Sequence, residues 1–307
     1  MERWHLEQKQ SLPLEQKEIM SINRIRDFYN SYDGQVYISY SGGVDSTVLL
    51  HIVRRVYKDI PALFANTGLE YPELVKFALS TPNVVEVKPK KTFKQVLKDE
   101  GYPVISKKTA RMIRDLQNPT ERNENTRKLY LEGIKRDGTK TKSFKLAKKW
   151  QKLINAPFKV SEKCCDYMKK EPFKRYEKQT GRVPFIGTMA DDSDQRRATY
   201  LKTGCNNFSN NQSQPLAFWT KQDIWDYIKK YNLEYASVYD KGETNTGCIF
   251  CMFGVHLEKE PNRFQRMAKT HPQLYKYCID KLGLGEVLDY IGVPYEPIYE
   301  QLKLGGD

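Results

Sequence analysis

Six small or polar residues stand between an apolar run and a helix-forming run: Ser41, Gly42, Gly43, Val44, Asp45 and Ser46. Gly42 and Gly43 allow the backbone to approach a ligand closely, and the N–H groups that open a helix attract an anion together with the helix dipole. Asp45 would hold a magnesium ion or orient the helix start, while Ser41 and Ser46 would donate hydrogen bonds to phosphate. A bare Gly-Gly pair indicates only a tight turn, whereas the whole set predicts a nucleotide-binding loop.

Cysteine pairs are the second candidate for chemistry among the chain's six cysteines. The adjacent pair Cys164-Cys165 is followed, after a gap of 82 residues, by Cys248-x-x-Cys251. Two such pairs supply the four thiolate ligands of one metal ion or cluster. Zinc accepts four thiolates as well as an iron–sulfur cluster does, so spacing does not separate the two. Buried thiols without a ligand are the competing interpretation.

Three other residues bear on this site. Adjacent cysteines rarely bind one cluster without strain, so Cys205 is an alternative fourth ligand, which would leave Cys164 or Cys165 free. Cys205 is also a candidate persulfide carrier and the third predicted catalytic residue, after Asp45 and Ser46. Cys278 lies in an apolar helical pattern and is expected in the core. His256 is expected to be structural, with donation to a cluster sulfur as its second option.

Hydrophobic periodicity predicts the elements that position the loop. The predicted helices cover residues 1–33, 46–57, 71–79 and 220–231, and the predicted buried strands cover 35–40, 61–65, 84–87 and 184–188. Alternating strands and helices produce right-handed crossovers and a parallel sheet. We therefore expect a doubly wound, mostly parallel α/β sheet, with a nucleotide at the carboxyl ends of its strands.

Several residues near those carboxyl ends join the predicted nucleotide site. Ser39 and Gly187 lie toward the ends of their strands, and the sequence Asn66, Thr67, Gly68 follows the second strand. Arg196 and Arg197 follow another strand and would clamp phosphate or sulfate bidentately. A solvated surface pair is the alternative for these two arginines.

The charge distribution indicates a polyanionic partner. Lys and Arg number 51 against 38 Asp and Glu, a net charge of +13, and the excess is densest between Lys88 and Lys152. This favours nucleic acid, either DNA or tRNA, over a merely solvated surface. No apolar run reaches membrane length and the polar start lacks a signal region, so we expect a cytoplasmic protein with no membrane partner. The oligomeric state is open, with a homodimer as one option.

The segment at about 90–160 is predicted to be a basic, helical insertion rather than part of the sheet core. We accordingly divide the chain into an N-terminal helical segment (1–33), a nucleotide-binding α/β domain (34–257) that carries the insertion, and a helical C-terminal region (258–307).

The phosphate loop resembles the PP-loop of the N-type ATP pyrophosphatases, a superfamily that includes GMP synthetase, tRNA thiolation enzymes and the phosphoadenylyl-sulfate reductases. It is not a Walker loop, because no Lys follows the second glycine. Further motifs resemble the sulfonucleotide reductase branch over roughly residues 35–255: Asn66-Thr67-Gly68 with Tyr71-Pro72-Glu73, Gln214-Pro215-Leu216 with Trp219 and Asp223, and Tyr239-Asp240-Lys241-Gly242 before Thr246-Gly247-Cys248.

The resemblance implies an adenine nucleotide alpha hydrolase-like fold, ATP and Mg²⁺ as ligands, and cleavage between the α and β phosphates. The cysteine pattern resembles the [4Fe–4S] pattern of the adenylyl-sulfate reductases, which leaves zinc as the lesser alternative. Two departures point away from sulfate reduction. The reductase tail motif Glu-Cys-Gly-Leu-His has no counterpart after Cys278, and the phosphate loop is complete where the reductases carry a degraded one.

A complete phosphate loop, a cluster pattern and a basic surface together resemble the sulfur-inserting branch of the superfamily. This resemblance implies an ATP-dependent iron–sulfur sulfur transferase that adenylates a nucleic acid before sulfur insertion, in DNA phosphorothioation or tRNA thiolation. A cysteine desulfurase or another sulfur donor protein is the implied partner. The first alternative is a sulfonucleotide reductase that releases sulfite with Cys205 or an external thiol. The second is a nucleotide-binding subunit without catalysis.

Overall fold

The computed structural model describes residues 1–244 and 246–298, and these fall into two compact units. Unit 1 comprises Met1–Lys90 and Lys169–Thr246, while unit 2 comprises Lys91–Met168 and the chain from Gly247 onward. The borders of these units do not coincide with the predicted boundaries at 33/34 and 257/258. The end of the predicted C-terminal region, residues 299–307, lies outside the described residues.

Eight strands are present in the described part of the chain: β1 Val36–Tyr40, β2 Ala62–Ala65, β3 Val84–Val87, β4 Val104–Ile105, β5 Val183–Ile186, β6 Asn206–Asn207, β7 Gln212–Ser213 and β8 Met252–Phe253. Unit 1 holds a six-stranded sheet in the order β3-β2-β1-β5-β7-β6, parallel except between β6 and β7. The order reverses between β1 and β5, which is the switch point where α/β sheets bind ligands.

The helices surround this sheet and build most of unit 2: α1 Arg3–Gln10, α2 Leu14–Ser31, α3 Val44–Val56, α4 Pro72–Ser80, α5 Phe93–Asp99, α6 Lys107–Gln117, α7 Glu124–Glu132, α8 Glu171–Thr180, α9 Asp194–Thr203, α10 Lys221–Tyr231, α11 Arg263–Thr270, α12 Pro272–Lys276 and α13 Leu284–Ile291. The predicted α/β class with its mostly parallel sheet is therefore confirmed. The predicted helix 1–33 is two helices, because Pro13 lacks an N–H and ends the first.

The core of unit 1 forms where helices pack on the apolar strands. Val48 and Ile52 of α3 are fully buried together with Ile38 of β1 and Phe28 of α2. The apolar residues of α3 recur at helical spacing, so one face of the helix covers the sheet. This packing fixes the first turn of α3 against the end of β1, where the phosphate loop lies.

Unit 2 contains the basic segment and the C-terminal helices. A two-residue parallel pairing joins β4 to β8, with Val104 opposite Met252, and a bridge joins Tyr102 to Val160. A 3₁₀-helix at Lys148–Asn155 follows α7, and a π-helix at Tyr277–Lys281 follows α12. None of the helices in residues 1–244 and 246–298 has the length and apolar character needed to cross a bilayer.

Candidate active site

The phosphate loop is a tight turn closed by its own serines. The Ser41 and Ser46 hydroxyls are 3.0 Å apart, and Ser46 Oγ donates to the Gly43 carbonyl at 2.9 Å. Gly42 has φ +75°, and a Cβ there would stand 3.0 Å from the Leu74 carbonyl oxygen. The left-handed conformation and the close helix α4 both require glycine at this position.

The first N–H of α3 meets a hydroxyl from a distant part of unit 1. Val44 N donates to the Tyr239 hydroxyl at 3.0 Å, which is 3.0 Å from Thr246 Oγ1. A Cβ on Gly43 would stand 2.9 Å from Thr246 Oγ1 and 3.1 Å from the Tyr239 hydroxyl. These oxygens occupy the position in which a helix N-terminus binds an anion.

A carboxylate pair lies beside this helix start. Burial and, to a lesser extent, the nearby carboxylate of Asp192 raise the pKa of Asp45 to about 6, with Lys221 and Arg196 acting in the opposite direction. Arg196 donates to Asp192, and Asp192 also accepts from Met189 N at 2.9 Å. Two neighbouring carboxylates with cations next to them suit a divalent metal and phosphate, because the metal removes their repulsion.

Two cavities of unit 1 open onto the loop and share Thr246 in their walls. The larger, of about 320 Å³, is lined by Asp45, Asp192, Lys221 and Tyr239. The smaller, of about 160 Å³, is lined by Ser39, Ser41 and residues at the end of β2. Both lie at the carboxyl ends of parallel strands, where the sequence predicted the nucleotide.

The remaining predicted nucleotide contacts differ in their placement. Gly187 follows β5 closely against α3, since a Cβ there would be 3.1 Å from the Asp45 carbonyl oxygen. Asn66 donates to Glu86 at 2.7 Å, and Thr67 Oγ1 donates to Glu70 at 2.8 Å. Gly68 has φ +72° and open space around its Cα.

The two predicted arginines have different environments on α9. Arg196 lies close enough to the Asp45 carboxylate to affect its pKa. Arg197 instead pairs with the highly exposed Asp194 at 3.1 Å, which matches the surface-pair alternative. The structure therefore brings only the first of the pair toward the carboxylates.

The two cysteine pairs of unit 2 lie near one another. The hydrogen bond between the Cys164 and Cys165 thiols, followed by burial, raises the pKa of Cys164. The thiols of Cys248 and Cys251 raise it further, so they lie close enough to the first pair to act on it electrostatically. Cys251 N donates to the Cys248 carbonyl at 3.1 Å, so this pair forms a turn. Among residues 1–244 and 246–298, no three His, Cys, Asp or Glu side chains are grouped to hold a single ion.

The other two cysteines and the nearby histidine are packed into the protein. Cys205 belongs to the core of unit 1, and burial raises its pKa to about 11, so it is a neutral thiol near pH 7. Cys278 is fully buried and donates to the Tyr275 carbonyl at 3.2 Å, as predicted for a core residue. His256 packs edge-on against Trp150, with ring centroids 5.2 Å apart.

Four residues at the site were not predicted as functional: Asp192, Lys221, Tyr239 and Thr246. Asp192 lies in a polar loop whose position after a strand was visible in the sequence. Tyr239 and Thr246 are about two hundred residues from the phosphate loop, so only the resemblance of their run to a reductase motif could have pointed to them.

The chain matches a family model described as the phosphoadenosine phosphosulfate reductase domain over residues 35–105 and 91–253. It is 23% identical over 279 residues to the adenosine 5'-phosphosulfate reductase of Anoxybacillus flavithermus, covering 90% of this chain and 98% of that protein.

Solved structures that match the chain include the phosphoadenylyl-sulfate reductase of Candida auris in its phosphate complex, at 13% identity and a TM-score of 0.41, covering 81% of this chain and 96% of that chain. They also include the tRNA thiolase NcsA of Methanococcus maripaludis with its [4Fe-4S] cluster, at 17% identity and a TM-score of 0.35, covering 93% and 82%. The family match spans most of the chain, including the phosphate loop and all four paired cysteines, and the chain therefore belongs to the phosphoadenosine phosphosulfate reductase domain family.

Proposed function

We propose that this protein cleaves ATP to AMP and pyrophosphate and uses the resulting activation to transfer sulfur to a nucleic acid. The observation that carries the proposal is the complete phosphate loop at the switch point of the sheet, with a carboxylate pair beside its helix. An enzyme whose substrate is a finished adenylyl nucleotide needs no site for a leaving pyrophosphate, whereas an enzyme that cleaves ATP does. The cavity lined by Asp45, Asp192 and Lys221 has the volume and the charged groups to hold a pyrophosphate.

In this proposal, each part of the loop has a separate task. The N–H groups at the start of α3 hold phosphate oxygens, and Ser41 and Ser46 donate to them. Lys221 and Arg196 neutralise the charge that develops on pyrophosphate. Asp45 and Asp192 would hold Mg²⁺, which when bound lowers the repulsion between the phosphates and the attacking oxygen.

The reaction divides into two displacements. An oxygen of the acceptor attacks the α-phosphorus, the bond from that phosphorus to the bridging oxygen breaks, and pyrophosphate leaves with the electron pair. Sulfur at the oxidation level of sulfide then displaces AMP from the adenylated acceptor, so neither step needs an oxidant or reductant. A cysteine desulfurase or another sulfur donor protein would supply that sulfur as a persulfide. A thiol then gives two electrons, forms a disulfide with the donor cysteine and releases the outer sulfur at the sulfide level.

The four paired thiols suit a [4Fe–4S] cluster, with zinc as the lesser alternative. The sulfur atoms of Cys164 and Cys165 share a hydrogen bond, and their neighbours Cys248 and Cys251 raise the pKa of Cys164. Cysteine ligands bind as thiolates, so thiols at such a site release their protons when a metal centre binds. A cluster, when bound, supplies iron with affinity for the sulfur to be transferred. Cys205 has no part in the proposal, because it is a buried neutral thiol.

The choice of nucleic acid as acceptor rests on charge. Residues 91–168 carry 20 Lys and Arg against 9 Asp and Glu, a net charge of +11 out of +13 for the whole chain. A surplus confined to one segment favours a polyanion there over general solubility. DNA and tRNA both satisfy this condition.

The test is product analysis after anaerobic purification. We expect ATP and Mg²⁺ to give pyrophosphate, with incorporation of sulfur into DNA or bulk tRNA detected by mass spectrometry of the digested nucleosides and nucleotides. Asp45→Asn should abolish pyrophosphate release, because it removes one of the two carboxylates, Asp45 and Asp192, that are proposed to hold Mg²⁺. Asp226→Asn, an exposed change on α10, should leave it intact.

A second candidate function, reduction of an adenylyl sulfate, is supported by the name of the relative that matches almost along its full length. The same preparation should then release sulfite from adenosine 5'-phosphosulfate in the presence of a thiol. Sulfite release without any pyrophosphate from ATP would replace the first proposal with this one.

A further inference from the structure

Three aromatic rings form a row on unit 2. Tyr102 and Phe158 meet edge to face with centroids 5.7 Å apart, and Phe158 meets Tyr290 in the same way at 5.4 Å. All three rings are half-buried, so part of each ring surface is open to solvent. The Tyr102 hydroxyl donates to the Leu282 carbonyl at 2.9 Å and the Tyr290 hydroxyl to the Lys152 carbonyl at 2.9 Å, which holds the outer rings in place.

A cavity of about 500 Å³ lies beside this row, and lysines from three separate segments line it. Lys94 and Lys98 come from α5, Lys159 follows Phe158, and Lys281 ends the π-helix at Tyr277–Lys281. In the described part of the chain, Lys94, Lys98 and Lys281 take part in none of the ion pairs. At the other end of the row, Lys152 lies over the Tyr290 ring, 5.4 Å from its centroid.

Acidic groups near the cavity are fewer than the lysines. Asp280 is the one carboxylate among its lining residues within the described part of the chain. Glu286 lies close enough to Tyr102 to raise the pKa of that phenol, after burial, which is the larger cause. Lys159 donates to the Asp99 carbonyl at 3.3 Å. The balance of side chains at this surface is positive.

We propose that the aromatic row and the lysine-lined cavity, residues Tyr102, Phe158 and Tyr290 with Lys94, Lys98 and Lys281, bind a single-stranded stretch of nucleic acid. The lysines contact its phosphates and the exposed ring surfaces stack against its bases. Alternation of basic and aromatic side chains is how proteins hold single strands, because each base offers a ring face and each linkage a charge.

The shape of the site favours a single strand over a duplex. Stacking on a protein ring needs an unpaired base, and loops, bulges and ends supply such bases whereas the interior of a duplex does not. A concave cavity also receives a splayed nucleotide better than the convex edge of a duplex. The choice of partner rests on the proposed function, while the site itself is defined by unit 2 alone.

The experiment measures the fluorescence anisotropy of labelled single-stranded and double-stranded oligonucleotides with the purified full chain at several salt concentrations. The triple variant Lys94→Gln, Lys98→Gln, Lys281→Gln is compared with a matched triple variant on the exposed loop, Lys135→Gln, Lys140→Gln, Lys142→Gln. Both remove three charges from unit 2. Phe158→Leu tests stacking separately from charge.

We expect the pocket triple variant to bind the single strand at least about tenfold more weakly. The slope of log affinity against log salt should fall by about 2, since each phosphate contact on a single strand contributes about 0.7. Phe158→Leu should weaken binding about fivefold or more while keeping the slope. The loop variant removes the same charge from the basic segment but no lysine of the cavity, so it should weaken binding clearly less than the pocket variant.

Equal losses of oligonucleotide affinity in the two triple variants would overturn the proposal, because affinity would then depend only on the total charge of the protein. The proposal would also be overturned if the wild type bound the duplex more tightly than the single strand and Phe158→Leu had the same affinity as the wild type. The surface would then bind a duplex. ATP binding and pyrophosphate release by the same variants separate the two proposals: loss of oligonucleotide binding with ATP chemistry intact supports this site. If the protein binds the oligonucleotide but never cleaves ATP, the proposed function is wrong and the single-strand site is still supported.

Discussion

At the scale of single residues, the conformation of the phosphate loop requires glycine at two positions, Gly42 and Gly43, where a side chain would not fit. Gly42 is needed for its backbone conformation and for the close approach of α4. Gly43 is needed for a different reason, since the Tyr239 and Thr246 hydroxyls fill the space beside its Cα. In the proposed function a phosphate uses this same space, because the Val44 N–H donates into it, to the Tyr239 hydroxyl.

Gly43→Ala should therefore weaken ATP binding by at least about tenfold, or about 1.4 kcal/mol. The new methyl group would force Thr246 and Tyr239 away from the loop or displace the first N–H groups of α3. Isothermal titration with a non-hydrolysable ATP analogue and Mg²⁺ measures the change. Gly247→Ala is the matched control, because a Cβ there meets nothing within 4 Å. Equal affinities in the two variants would contradict this role for Gly43.

At the scale of elements, two short segments supply the thiols. Cys164 and Cys165 directly precede a π-helix at Asp166–Lys170, and the turn from Cys248 to Cys251 leads into β8. Arg263, at the start of α11, donates to the Cys251 carbonyl at 2.9 Å, which fixes the end of that turn. Both segments belong to unit 2, whereas Cys205 belongs to unit 1.

Replacement of any one of Cys164, Cys165, Cys248 or Cys251 by Ser should reduce the bound iron to less than half of the wild-type content, because a cluster needs all four ligands. Anaerobic iron and sulfide analysis with an optical spectrum measures the loss. Cys205→Ser and Cys278→Ser serve as controls and should keep their iron. If Cys205→Ser lost iron while Cys164→Ser or Cys165→Ser kept it, the alternative ligand set would be right and ours wrong.

The N-terminal helix α2 is tied to helix α10 by a buried ion pair. Lys17 of α2 donates to both carboxylate oxygens of Asp223 on α10, at 2.8 and 2.7 Å. Asp223 also accepts from Thr220 N at 2.7 Å, which completes the cap of that helix. The Asp223 carboxylate thus joins α2 to α10 and also takes part in the N-terminal cap of α10.

Asp223→Asn should lower the free energy of unfolding by about 3–5 kcal/mol, because it leaves the Lys17 ammonium buried without a counter-charge. Urea unfolding at neutral pH, monitored by circular dichroism, gives the difference. Asp226→Asn on the exposed side of the same helix should change stability by less than about 0.5 kcal/mol. A similar small effect in both variants would show that the ion pair contributes little.

At the scale of the whole molecule, local sequence signals predicted unit 1 better than unit 2. The strands β1, β2, β3 and β5 and the helices α3, α4 and α10 follow from periodicity and from the cap at Thr220, because each signal lies within a few neighbouring residues. The two-residue strands β6 and β7 of the same sheet were not predicted. The pairing of β4 with β8 had no such signal. Each strand has two residues, and 146 residues separate them.

At the candidate site, too, features carried by neighbouring residues were predictable and features formed by distant residues were not. The loop from Ser41 to Ser46 was predictable because its residues are contiguous, and the thiol pairs because two short motifs were paired. Asp192 and Lys221 were not predicted, since only the folded sheet brings them beside Asp45. The charge distribution predicted a polyanionic partner but no particular surface for it, whereas the aromatic row next to the lysines could be seen only in the structure.

Cleavage between the α and β phosphates can be tested by a single-turnover reaction of ATP labelled separately at the α and γ phosphorus, with Mg²⁺ and a mixture of DNA and tRNA. We expect the γ label in pyrophosphate and the α label in AMP or in adenylated acceptor. Asp45→Asn should give neither product. Appearance of the γ label as orthophosphate with the α label in ADP, or no cleavage by the iron-loaded wild type, would contradict the account.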